Sequence, residues 1–224
     1  MHKTVAIGGL GATGLPLARA LDAGVEGLRL VAVAARDPDR ARATVAGFRS
    51  VPRVVALEAL AEADIVVEAA PAAVFSRIAE PAIAAGRVLV PASVGALLPR
   101  MDLVARARET GARIVVPTGA LLGLDAVRAA AEGRVSRVAI ETRKPPAGLA
   151  GAPYLVERGT EVTIWADPTL ERNTHTIRVE ADAARLCMRI ENVPSPDNPR
   201  TGRLTPLSVL ACLRGLVSPL KVGS

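Results

Sequence analysis

Aromatic side chains make up only 2% of this 224-residue chain. Nucleic-acid recognition by base stacking needs aromatic platforms, so their scarcity argues against that class of partner. It also leaves Ala, Val and Leu to fill the interior. Cysteine is equally sparse. Cys187 and Cys212 are the two in the sequence, both in apolar surroundings. That is too little for a disulfide framework or a metal site, and it points to a reduced, cytoplasmic setting. No uninterrupted apolar run is long enough to span a membrane. The first residues, with Lys3 ahead of an apolar stretch, faintly mimic a secretion signal, but glycines interrupt them and a strand followed by a turn fits better. Lysine occurs only at positions 3, 144 and 221, so arginine supplies 25 of the 28 cations behind the net charge of +6. The arginines are scattered and form no blocks, which reads either as a solvated surface or as a field that draws in anionic cofactors and substrates. Histidine occurs twice. His2 stands at the start, so His175 is the one imidazole in the interior of the chain.

Half of the residues are apolar, and the length suits one large domain or two small ones. The first half alternates strand and helix signals. Thr4–Ile7, Leu30–Ala34, Asp64–Glu68, Arg87–Pro91 and Ile114–Pro117 read as buried strands. Leu15–Leu21, a segment opening at Asp37-Pro38, Ala72–Ala85 and Asp102–Glu109 read as helices between them. Asp37 is a natural cap and Pro38 fits a first helical position. This rhythm predicts an α/β fold, a Rossmann-type doubly wound parallel sheet. The pattern then changes. Leu124–Ala131 reads as a helix and Val135–Thr142 as a strand. Glu161–Trp165, Thr176–Glu180 and Leu186–Glu191 alternate in a way that suggests antiparallel strands, and Leu207–Leu216 is an apolar helix. The expected division is a dinucleotide-binding domain over 1–118 and a smaller α+β lobe with antiparallel strands over 119–224.

Gly9-x-Gly11-x-x-Gly14 follows the first strand and opens the first helix, which is the context that gives such a motif meaning. Gly9 permits the tight turn, Gly11 lets the backbone approach a pyrophosphate, and Gly14 allows close helix–strand packing. With Ala12 and Thr13 between them, the helix N-terminus would receive the anion on unpaired N–H groups. The alternative is a glycine turn without a ligand. At the end of the second strand the acid that would bind a ribose 2′-hydroxyl is late: Asp37 is more simply a cap, and Arg36 could meet a 2′-phosphate. The expected cofactor is NAD or NADP.

His175 closes the polar run Glu171-Arg172-Asn173-Thr174-His175. An imidazole with a pKa near working pH suits proton transfers in a redox enzyme. The other reading is a hydrogen-bonded histidine at a sheet end. Asn173 lies two residues earlier, so on a strand both would face the same side, where Asn173 could bond the imidazole or the substrate. A dicarboxylate substrate needs cationic clamps, and Arg143, Lys144 and Arg172 are the candidates.

Several stretches together resemble the L-aspartate dehydrogenase family: Val67-Glu68-Ala69-Ala70, Ser93-Val94-Gly95-Ala96, Pro117-Thr118-Gly119-Ala120, Gly123-Leu124-Asp125-Ala126 and Thr142-Arg143-Lys144-Pro145-Pro146. The most specific run extends from Ala166-Asp167-Pro168 through Asn173-Thr174-His175 to Ile190-Glu191-Asn192-Val193-Pro194-Ser195-Pro196. The resemblance implies NAD(P)-dependent oxidation of L-aspartate to iminoaspartate, which hydrolyses to oxaloacetate and ammonia. In that family the reaction can feed NAD biosynthesis. It places the active-site histidine on His175 and a cofactor contact on Ala120, and it suggests a homodimer with a small-molecule substrate and neither nucleic acid nor membrane as partner; Ala70, after the matched strand end, is a further cofactor-binding candidate. Two departures stand out. The family's Gly-Gly pair is Leu122-Gly123 here. A long family segment carrying a cofactor-binding asparagine is also absent between Gly159 and Thr160, where both flanks keep the family pattern, so poor continuity is expected at that join. A reductase of another small dianion and a non-catalytic dinucleotide-binding protein are the competing readings.

Overall fold

The computed structural model describes residues 2–119, 121, 123–144, 160–196, 198–199 and 201–220. They form two compact units. The first runs to Pro117 and takes back Pro206–Leu220, and the second covers Thr118–Thr205.

The first unit is built on six parallel strands: β1 (Lys3–Gly8), β2 (Leu28–Ala34), β3 (Arg53–Val54), β4 (Ile65–Glu68), β5 (Val88–Pro91) and β6 (Arg113–Ile114), in the order β3-β2-β1-β4-β5-β6. Alternation along the strands explains the two covered faces. Ala6, Val66 and Leu89 point into one apolar cluster with Phe75, Ile78, Ala82 and Ile83 of α3 (Phe75–Ala84) and Leu103 of α5 (Asp102–Thr110). Val5, Ile7, Val67 and Val90 point into the other, with Leu17 and Leu21 of α1 (Gly14–Ala23), Val45 of α2 (Pro38–Val45) and Val209 and Leu213 of the last helix. This is the doubly wound fold expected. The short α4 (Val94–Leu97) follows β5. The strand expected at Ile114–Pro117 is only the pair Arg113–Ile114, prolonged by one bond from the Val115 amide to the Leu89 carbonyl.

The second unit carries α6 (Leu124–Ala130) and a four-stranded sheet: β7 (Val135–Lys144), β8 (Thr160–Ala166), β9 (Asn173–Ala181) and β10 (Arg185–Asn192), ordered β10-β9-β7-β8. The β7–β9 and β9–β10 pairs are antiparallel as expected, but β8 lies parallel to β7, so the sheet is mixed. Residues 145–159, between these two strands, lie outside the described residues. The expectation about the Gly159–Thr160 join lies there too. The last helix, α7 (Leu204–Val217), packs in the first unit, although the sequence division counted it with the second. Its Val217 side chain lies 3.2 Å from where a Cβ on Gly27 would sit.

Candidate active site

The glycine loop ends β1, beside β4, where the strand order reverses direction. In open α/β sheets ligands bind at this switch point, past the carboxyl ends of the strands. The three glycines differ in what they permit. Gly9 has φ +100°, and a Cβ there would run into the backbone carbonyl of Ala69. A Cβ on Gly14 would run into the carbonyl of Gly9. Gly11 faces open space, with nothing within 4 Å of a notional Cβ. Protein packing therefore requires the outer two glycines, whereas the middle one leaves room above the backbone. At the N-terminus of α1, Thr13 makes no side-chain capping bond and no acid occupies the first turn. That end keeps unpaired N–H groups and a positive dipole for an anion. The residues present thus fit a dinucleotide pyrophosphate.

Ala70 follows β4 and abuts the loop: the Ala69–Ala70 backbone is what a side chain on Gly9 would strike. Its position is held by Glu68, to which the sequence reading gave no role. Glu68 is fully buried. Its carboxyl accepts from the Ala70 amide at 3.0 Å, the Ser93 amide at 2.9 Å and the Ser93 hydroxyl at 3.0 Å. Burial pushes its pKa up, against the pull of these bonds. One carboxyl group therefore fastens the loop after β4 to the loop after β5. The sequence signals for it are an acid closing the apolar run Ile65-Val66-Val67 and its place in the matched run Val67-Glu68-Ala69-Ala70. Arg36 is exposed just past β2, and Asp37 caps α2 with bonds from the Asp39 and Arg40 amides at 3.1 and 3.0 Å.

His175 is the third residue of β9, near the end of its ladder with β7. It stands opposite Thr142 of β7 and Ile190 of β10. Directly paired residues share a face, so one face carries Ile140, Ile177 and Val179 at one end and turns polar at the other, with Thr142, Lys144, Asn173, His175 and Asn192. The Thr142 hydroxyl lies 3.0 Å from His175 Nδ1. Burial, then the positive charge of Lys144, bring the imidazole pKa down to about 4. Burial also lowers the pKa of Lys144. His175 is thus a partly buried imidazole, neutral at neutral pH, held at one nitrogen and disfavoured as imidazolium by burial and by the nearby ammonium.

Of the three expected cations, only Lys144 joins this face. Arg143 is on the opposite face of β7: it bonds Glu141 at 2.6 Å, lies 3.7 Å from Asp167 and sits 5.9 Å over the Trp165 ring. Adjacent strand residues point to opposite faces, so Arg143 and Lys144 could not both face His175. Arg172 is exposed just before β9. Ala120 lies outside the described residues. Gly123 has φ +66°, and a Cβ there would run into the Met188 sulfur, so glycine is needed at this half of the Leu122-Gly123 pair. Thr142 stood in a matched run without a role, because a threonine in a strand is ordinarily read as filler.

Comparison with known proteins turns this geometry into a family assignment. The C-terminal domain family of aspartate dehydrogenase matches residues 157–216, and the NAD-binding domain family of homoserine dehydrogenase matches residues 9–117. An L-aspartate dehydrogenase of Bradyrhizobium diazoefficiens is 45% identical over 98% of this chain and 94% of its own length. The chain belongs to the L-aspartate dehydrogenase family. L-aspartate dehydrogenase 3 of Bordetella bronchiseptica, 44% identical over 98% of this chain and 97% of its own length, is a further relative. The crystal structure of aspartate dehydrogenase from Thermotoga maritima shares the fold, with a TM-score of 0.74, 22% identity and full coverage of both chains. As a member of the family the protein is an NAD(P)-dependent oxidoreductase acting on a CH–NH₂ group, with a small-molecule substrate. The alignment to the Bradyrhizobium L-aspartate dehydrogenase spans 264 positions against 224 residues here, so at least 40 positions of that relative have no counterpart in this chain.

Proposed function

We propose that the protein oxidises L-aspartate to iminoaspartate, which hydrolyses to oxaloacetate and ammonia. The observation that carries this reading is the neutral, partly buried imidazole of His175, bonded to Thr142 and facing the same way as Lys144. The dinucleotide belongs to residues 1–118, at Gly9, Gly11, Ala12, Thr13, Gly14 and Ala70, and supplies the acceptor for the hydride that leaves Cα. Catalysis belongs to residues 119–224. Lys144 pairs with a substrate carboxylate. That pairing offsets the ammonium charge felt by His175 and raises the basicity of the imidazole when substrate is present. With Nδ1–H donated to the Thr142 hydroxyl, Nε2 holds the lone pair. Nε2 takes a proton from the substrate ammonium, freeing the nitrogen lone pair that drives hydride loss; it releases that proton to solvent and, neutral again, draws a proton from the water that adds to the imine carbon.

Arg36 offers a cation where a 2′-phosphate would lie, and Asp37 is occupied as a cap, which together favour NADP over NAD. The segment without counterpart belongs at Gly159–Thr160, where the flanks keep the family pattern. The enzyme acts in the cytoplasm, where its two free cysteines stay reduced. It pairs as a homodimer that covers an edge of the four-stranded sheet. Its product is one through which the family can feed NAD biosynthesis.

The test measures oxaloacetate, ammonia and reduced dinucleotide from L-aspartate with NAD⁺ and with NADP⁺. His175→Ala is expected to cut turnover by about 10²–10⁴-fold, the range for a lost general base. Unchanged turnover in the folded variant removes His175 from the chemistry. Dinucleotide binding with no aspartate-dependent reduction in the wild type removes the activity itself.

A further inference from the structure

Asn173 is 2% exposed, and its side-chain oxygen has no hydrogen-bond partner among the described residues. The orientation of the amide is fixed, because Nδ2 donates to the Pro199 carbonyl at 3.2 Å and only nitrogen can serve there. Oδ1 is therefore a committed acceptor. A buried acceptor left unmet is an uncompensated cost that native structures keep chiefly where a ligand or ordered water completes it. This one stands on the same face of β9 as His175, two residues along the strand, with Lys144 on the neighbouring strand.

The chemistry of the substrate selects what can fill it. An amide oxygen repels a carboxylate and has nothing to offer a carbonyl. On an amino dicarboxylate the one donor group is the α-nitrogen. We propose that Asn173 Oδ1 accepts a hydrogen bond from the substrate's nitrogen and so selects amino dicarboxylates over dicarboxylates without one. The inference rests on the aspartate reading and deepens it. The division of labour is complete: Lys144 takes a carboxylate, Asn173 holds one N–H, and His175 removes another proton from the same nitrogen. As the nitrogen becomes an iminium, its N–H groups become stronger donors, so the bond to Oδ1 tightens along the reaction rather than in the ground state alone.

The experiment compares calorimetric binding of L-aspartate and of succinate, the same dicarboxylate without nitrogen, with reduced dinucleotide present to block turnover. Asn173→Ala is expected to weaken L-aspartate by about 10–100-fold, the range for a hydrogen bond to a charged group, and to leave succinate unchanged. Asn173→Asp loses the Pro199 bond equally but keeps an acceptor, so it should retain the preference for L-aspartate. Equal loss of both ligands in Asn173→Ala, unchanged L-aspartate binding, or an Asn173→Asp variant that behaves like Asn173→Ala overturns the proposal and leaves Asn173 a clasp for the loop at Pro199. Wild-type turnover is scored separately. Selective binding of L-aspartate without turnover sinks the dehydrogenase reading and upholds this one, whereas binding of neither ligand overturns both.

Discussion

At the scale of single residues, the imidazole works through what it touches. The Thr142 hydroxyl lies 3.0 Å from Nδ1 of His175 and can serve that nitrogen as donor or as acceptor. Thr142→Val keeps the shape and removes the bond, and is expected to lower kcat about tenfold while leaving dinucleotide affinity alone. Thr142→Ser should restore most of the rate. The measurement is kcat against pH for the three proteins, and a Thr142→Val profile that overlays the wild type would show the hydroxyl to be idle. His175 was legible in the sequence because histidine is so rare there. Thr142 was not, since its role exists only through the pairing register that sets it opposite His175. The choice between Arg143 and Lys144 was half legible: alternation dictates that one faces away. Ala139 and Ile140 are both apolar, however, so the strand does not declare its inner face.

At the scale of elements, the parallel sheet and its helices followed from the alternation of apolar runs with capped, glycine-terminated segments, and Asp37-Pro38 opens α2 as its chemistry requires. Two features did not follow. β3 is two residues long, too short for any periodicity. The direction of β8 depends on its partner rather than on its own sequence, so a strand that alternates well is equally at home in either sense. Glu68 shows how elements are tied into a site. Glu68→Ala leaves the amides of Ala70 and Ser93 without their acceptor, and is expected to destabilise the first unit by about 2–4 kcal/mol and to weaken dinucleotide binding. Chemical denaturation and cofactor fluorescence titration read the two effects. A variant that binds dinucleotide as well as the wild type would separate this carboxyl from the cofactor loops.

For the whole molecule, the low pKa of His175 ties stability to pH. In the unfolded chain the imidazole titrates near its ordinary value of 6.5, and in the folded protein at about 4. Between these values the unfolded state binds more protons, so stability is full above about pH 6.5 and falls as pH drops towards 4. The loss should be about 1–3 kcal/mol, reduced by the partial exposure of the ring. Trp165, the one tryptophan, lies in the same sheet, so its fluorescence during denaturation at each pH reports the effect. His175→Gln should flatten the slope in that window, and an unchanged slope would assign the loss to other groups. The path of the chain has a separate consequence during synthesis. Val209 and Leu213 of α7 complete an apolar layer whose other fully buried members all precede position 91, with the second unit made in between. A chain growing from its N-terminus must therefore be made as far as α7 before this layer can close, and until then the cluster lacks Val209 and Leu213 and presents apolar surface that a chaperone could cover.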